Sequence, residues 1–229
     1  MMLKTIFFDL DDTLLDFRRA EAEALRRTFR RFGIDPAPEI LDRYHVINRE
    51  QWELLEEGRL TRPQVLTRRF DLLFEELGVR RSSREVCDCY EALLAEGHWF
   101  VPGAQPLLET LAPRYDLYLA SNGAAAVQRS RLKSAGIGPY FKGIFISEEM
   151  PADKPSLAFF QAAFAAIPQF DPTAALMVGD SLTSDIRGGK NAGIRTCWFN
   201  PQDRPARADI IPDYTVTALS QLPRLLETL

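Results

Sequence analysis

Short, nearly uninterrupted apolar runs recur along the chain at 5–8, 117–120, 143–146, 175–178 and 196–199. From the second run onward, each is separated from the next by a stretch with helical spacing of its apolar residues. Strands buried on both faces read as such runs, and strands alternating with helices predict a parallel sheet with crossover helices. The expected fold class is therefore α/β, a Rossmann-like doubly wound parallel sheet.

The rhythm breaks once. From residue 16 to residue 99 no strand pattern occurs, and the apolar positions follow helical spacing throughout. A first helix is expected over 17–32, with Ala24, Leu25, Phe29 and Phe32 near one face and Gly33 as its stop. A second covers 40–57 and ends at Gly58. Thr61-Arg62-Pro63-Gln64 fits a capping box at the start of a third, which stops near Gly78, and a fourth runs over 82–96. Residues 16–99 thus form an inserted all-helical cap domain, and residues 1–15 with 100–229 form the core domain. The proline-rich stretch 201–212 reads as a surface loop.

Composition narrows the class further. With 229 residues, 46% of them hydrophobic and 26% charged, the chain has the profile of a globular protein. Twenty-eight basic residues against 32 acidic ones give a net charge of −4. No overall positive field exists to draw the chain to nucleic acid or to a membrane surface. The arginine pairs at Arg18-Arg19, Arg26-Arg27 and Arg30-Arg31 are interrupted by Glu21 and Glu23 and read as a solvated helix face. No apolar run approaches the roughly 20 residues of a membrane span, and the N-terminus lacks a secretory pattern, so the expected location is the cytoplasm. Cys87, Cys89 and Cys197 show no metal-like pairing and are expected to be reduced thiols. His45 and His98 belong to no motif and are expected to be structural.

The polar residues that end the apolar runs carry the chemistry. The first run leads directly into Asp9-Leu10-Asp11-Asp12-Thr13. Ligands of doubly wound sheets bind beyond the carboxyl ends of the strands, so this run delivers three carboxylates to the functional edge. Their mutual repulsion would be relieved by a hard cation such as Mg2+. Ser121-Asn122-Gly123 closes the second run and offers a hydroxyl, an amide and a permissive backbone, a set suited to phosphate oxygens. Lys154-Pro155 follows the third run, and Gly179-Asp180-Ser181-Leu182-Thr183-Ser184-Asp185 follows the fourth with two more acids.

In this order, with the helical insert after the first, the four motifs resemble those of the haloacid dehalogenase superfamily of phosphohydrolases. The resemblance implies that Asp9 attacks phosphorus to form an aspartyl phosphate. Asp11 would protonate the leaving alcohol and then deprotonate the attacking water. It also implies Mg2+ held by the Asp9 carboxylate, the Asp11 backbone carbonyl and Asp180. Asp185 would support the metal through water or by orienting Lys154. Ser121 and the backbone near Asn122 would hold the phosphoryl oxygens, and Lys154 would neutralise charge spread over them. Asp12 would be a structural or capping acid. The insert resembles the helical cap of the superfamily's first subclass, which closes over the site and excludes water.

Within the superfamily, the segment from Tyr44 to Thr61, together with Ile146-Ser147-Glu148-Glu149, Asn191-Ala192-Gly193 and Thr196-Cys197-Trp198, is similar to the noncanonical pyrimidine nucleotidases. The loop Met150-Pro151-Ala152-Asp153 departs from the small residues that those enzymes carry before the lysine. Tyr44, Asn48 and Trp52 are spaced four apart and share one helix face, where they could stack on a base and read its edge. The alternative is that this face packs against the other helices of the insert. The expected activity is Mg2+-dependent hydrolysis of a small phosphate ester, a pyrimidine nucleoside 5′-monophosphate first, with no protein partner implied. A sugar-phosphate phosphatase or mutase of the same superfamily would share every core motif. A dehalogenase would need neither Asp11 nor a metal, and a receiver domain would place its acceptor Asp elsewhere. A protein that binds phosphate ligands without catalysis is the remaining alternative.

Overall fold

The computed structural model describes residues 3–229. Its strands are β1 (Thr5–Phe8), β2 (Asp116–Ser121), β3 (Gly143–Ile146), β4 (Ala175–Gly179), β5 (Arg195–Phe199) and β6 (Tyr214–Val216). All neighbours pair in parallel, in the order β3-β2-β1-β4-β5-β6. The chain lays β2 and β3 to one side of β1, then returns to lay β4, β5 and β6 on the other. The point where direction reverses is therefore the β1–β4 junction, the place where a doubly wound sheet opens its crevice.

Both faces of the sheet are covered, which is why the strands read as continuous apolar runs. Successive side chains point to opposite faces. Ile6, Phe8, Leu117, Leu119, Leu176 and Val178 pack on one side with α5 (Ala104–Leu111) and α9 (Leu222–Leu226). On the other side Phe7, Tyr118 and Met177 pack with Phe159 and Phe160 of α7 (Leu157–Ala165). Burying each such side chain contributes roughly 1.5–3 kcal/mol. The remaining helices of this unit are α6 (Ala125–Ala135) and α8 (Arg187–Asn191).

The chain divides into two compact units, the chain up to Asp16 with Phe100–Leu229, and Phe17–Trp99. The second consists of α1 (Phe17–Phe32), α2 (Pro38–Glu56), α3 (Arg62–Leu77) and α4 (Ser83–Leu94). Helix α1 packs against α4 and α2 against α3. Gln64 reaches back to accept the Thr61 N–H at 2.8 Å, and Gly78 ends α3 in the left-handed conformation, with φ 64°. Strand β6 lies inside a region without strand patterning. It has three residues, sits at the sheet edge and exposes Thr215, so it is too short to leave a periodic signal. Among the described residues no helix is long and apolar enough to cross a membrane.

Candidate active site

The site grows from the carboxyl ends of β1, β2 and β4. The Asp9 N–H donates to the Val178 carbonyl at 2.9 Å, so the ladder holds Asp9 one residue past β1 and beside β4. Thr13, wholly buried, accepts the Asp180 N–H at 3.1 Å and ties the turn after β1 to the end of β4. In that turn Asp12 adopts a left-handed backbone, with φ 56°, which a short polar side chain tolerates.

Lys154 joins these ends. Its Nζ donates to Asp9 Oδ1 at 2.7 Å, to Asp185 Oδ1 at 2.7 Å and to the Ala120 carbonyl at 2.6 Å. An ammonium has three protons, so all three are engaged. Burial works against its charge, but Asp185 and Asp9 together outweigh it and hold the lysine above its ordinary pKa. The main chain of Lys154 is fixed by Asn122, whose Nδ2 donates to the Lys154 carbonyl at 2.8 Å and whose Oδ1 accepts the Lys154 N–H at 2.9 Å. The Asn122 side chain is thus occupied with the lysine.

Asp185 is fully buried, and its second oxygen accepts the Ser181 N–H at 3.1 Å. It can lie there because residue 179 is glycine: a Cβ at that position would fall 2.1 Å from Asp185 Oδ2. Carboxylate oxygens of Asp9, Asp180 and Asp185 lie within 4.8 Å of one another. Burial pushes Asp9 up to about 8, with Lys154 lowering it and Asp185 and Asp11 raising it further. Burial likewise raises Asp180 well above the carboxylate range, with Asp12, Asp185 and Asp9 adding to the shift against Arg204. One lysine does not stabilise all three as carboxylates. Hard oxygen donors whose ionised forms the site disfavours until a further cation joins them are the donor set that Mg2+ requires, so the residues fit that ion.

The carboxylate of Asp11 is not in that group. Its oxygens accept from Gln128 Nε2 at 2.6 Å and from Arg131 Nη1, both on α6. Ser121, at the end of β2, accepts from Gln128 Nε2 at 2.8 Å and from the Gly123 N–H at 3.2 Å. Sequence reasoning missed Gln128, Arg131 and Arg204, and it noted Trp198 only within a resemblance, with no place at the site. Trp198 Nε1 and Arg204 Nη2 donate to the Asp180 carbonyl at 2.9 and 2.6 Å. Gly123 makes room for the Gln128 amide, since a Cβ there would fall 2.3 Å from Gln128 Nε2.

The face expected to contact a base has another occupation. Tyr44 is fully buried, its ring 4.9 Å from Phe70 and 5.7 Å from Tyr90. Asn48 is buried too, donating to Glu21 at 2.8 Å and accepting from Trp52 Nε1 and Arg69 Nη1, each at 3.1 Å. Tyr44 and Asn48 therefore belong to the interior of the helical unit, the packing alternative, because an aromatic core and the buried Arg69 use them. Only Trp52 is partly exposed, with the Arg62 guanidinium 5.6 Å from its ring centre.

The chain is similar to known proteins over nearly its whole length. A model of haloacid dehalogenase-like hydrolases matches residues 3–193. The chain is 37% identical to the pyrimidine 5′-nucleotidase PynA of Streptococcus pneumoniae, over 97% of this chain and 94% of that one. It is 34% identical to the pyrimidine 5′-nucleotidase YjjG of Escherichia coli, over 96% of each. A crystal structure of the HAD-hydrolase YfnB of Bacillus subtilis bound to magnesium superposes with a TM-score of 0.95, at 40% identity and 99% coverage of both chains.

Proposed function

Since the chain belongs to the haloacid dehalogenase-like hydrolases, we propose that it is a phosphomonoesterase using an aspartyl-phosphate intermediate, with pyrimidine nucleoside 5′-monophosphates as first substrates. The observation that carries this reading is the Lys154 ammonium, bonded at once to Asp9 and Asp185 beside Asp180. It gathers the polar ends of separate strands into one place.

In the first step an Asp9 oxygen forms a bond to phosphorus as the bond to the ester oxygen breaks, and Asp11 gives that oxygen a proton. In the second, water attacks the same phosphorus and the bond to Asp9 breaks, while Asp11 takes back a proton from the water. The sum is ester plus water to alcohol plus phosphate. Lys154 balances charge on the phosphoryl oxygens, and Ser121 with the backbone near Asn122 orients them. Asp185 keeps Lys154 in place, since both its oxygens already accept hydrogen bonds from protein. A magnesium ion held by the Asp9 and Asp180 carboxylates and the Asp11 carbonyl would supply the positive charge that lets one anion attack another.

The nucleotide preference rests on the two nucleotidase relatives, and Tyr44 and Asn48 do not supply it. The test is phosphate release with Mg2+ from a panel of nucleoside monophosphates and sugar phosphates, wild type beside Asp9→Asn. Release led by dUMP or dTMP, abolished in the variant, is expected. If sugar phosphates lead, the chemistry holds and the substrate class changes; no release from any ester returns the protein to phosphate-ligand binding alone.

A further inference from the structure

Asp11 must sit within reach of the leaving oxygen to give up a proton and of water to recover one. Helix α6 holds its carboxylate. Gln128 and Arg131 are three residues apart and so share one face of that helix. Both are almost entirely buried, Gln128 at 1% and Arg131 at 0% exposure. A buried guanidinium is costly to desolvate and persists where a carboxylate answers it. Here that carboxylate is Asp11.

The network also fixes which way the Gln128 amide points. Its Oε1 accepts from Arg131 Nη1 at 2.9 Å, so its Nε2 is turned to Asp11 Oδ2 at 2.6 Å and Ser121 Oγ at 2.8 Å. Were the amide reversed, two donors would face each other at Arg131 and an acceptor would face the carboxylate. One amide therefore ties the end of β2 to the turn after β1, and Gly123 leaves room for it.

We propose that Gln128 and Arg131 are positioning residues for Asp11, and that through Gln128 they hold it in register with the Ser121 hydroxyl. The inference rests on the reading of Asp11 as general acid and base. It makes Ser121-Asn122-Gly123 followed by Gln128 and Arg131 one functional unit, in which the later residues act on a carboxylate more than 100 positions earlier in the chain.

The experiment compares kcat/KM for a nucleoside monophosphate, whose alkoxide needs a proton to leave, with that for p-nitrophenyl phosphate, whose leaving group needs none. Arg131→Met is expected to lower the first about 10- to 100-fold and the second less than about threefold, within the range a general acid contributes. In an Asp11→Asn background the same change is expected to add no further loss. Thermal melting of each variant checks folding. Should Arg131→Met fail to fold, Gln128→Leu gives the same comparison, and Arg131→Lys is expected to recover part of the activity. Equal losses on both substrates, or losses that multiply with Asp11→Asn, would overturn the proposal. If Asp11→Asn itself shows no leaving-group dependence, the assigned role of Asp11 fails and the positioning role goes with it. No hydrolysis by wild type fails the proposed function itself.

Discussion

The Lys154 ammonium lies 2.7 Å from Asp9 Oδ1 although 145 positions separate the two residues, and the lysine is 1% exposed. Three polar partners in a dry setting make this contact a fixed part of the site. Lys154→Met would leave Asp9 and Asp185 buried and facing each other without their shared cation. Breaking a buried pair from one side costs about 3–5 kcal/mol. The expected result is a lower melting temperature in metal-free buffer, partly restored by Mg2+, with phosphate release reduced at least ~100-fold. Melting curves with and without Mg2+ and a single substrate assay check all three.

Stability of the metal-free protein should fall as pH rises. Folded Asp9 holds its proton up to about 8, whereas its ordinary value is 3.8. Between those values the folded state binds a proton that the unfolded state has lost, so the slope of stability against pH is negative across that window and levels off above it. Asp9→Asn removes one titrating group and should make the slope shallower, the remainder coming from Asp180, which burial also raises. Melting temperatures at pH 5 and pH 8 in EDTA measure it, and a slope unchanged in Asp9→Asn would remove Asp9 as one of its sources.

Mg2+ should stabilise the fold by binding the folded state alone, by about 2.7 kcal/mol at 100 times its dissociation constant. Asp180→Asn removes one of the three clustered carboxylates. The shift in melting temperature on adding Mg2+ should shrink in this variant, and an equal shift in both proteins would place the ion elsewhere.

Gly179→Ala places a methyl group where Asp185 Oδ2 now lies, at 2.1 Å. Either the carboxylate or the end of β4 must move. Overpacking of this kind costs typically about 1–3 kcal/mol, and Lys154 loses part of its support. Activity should drop more steeply than stability, which paired kinetic and denaturation measurements would show.

Tyr44→Phe tests the packing of the helical unit. The Tyr44 hydroxyl is buried without a hydrogen-bond partner, so deleting it leaves no partner unpaired. Stability should stay level or rise by up to about 1 kcal/mol, with KM for a nucleoside monophosphate unchanged. A several-fold rise in KM would restore Tyr44 as a substrate contact.

Local chemistry made much of this protein legible in its sequence. The apolar runs gave five of the six strands, because strands covered on both faces must be apolar throughout, and Gly78 marked a helix end because its backbone is left-handed. Asp9 and Asp180 stood out as polar groups placed where apolar runs end, and Lys154 as part of a motif one loop beyond the third run. Tertiary structure decided what distance along the chain hides. It assigned Asn122 to the backbone of Lys154, committed Tyr44 and Asn48 to the interior of their own unit, and brought Gln128 and Arg131 to Asp11. Helical spacing shows which residues share a face, but what that face meets depends on the packing of the whole chain. A buried arginine and an exposed one are the same letter until the fold supplies its carboxylate.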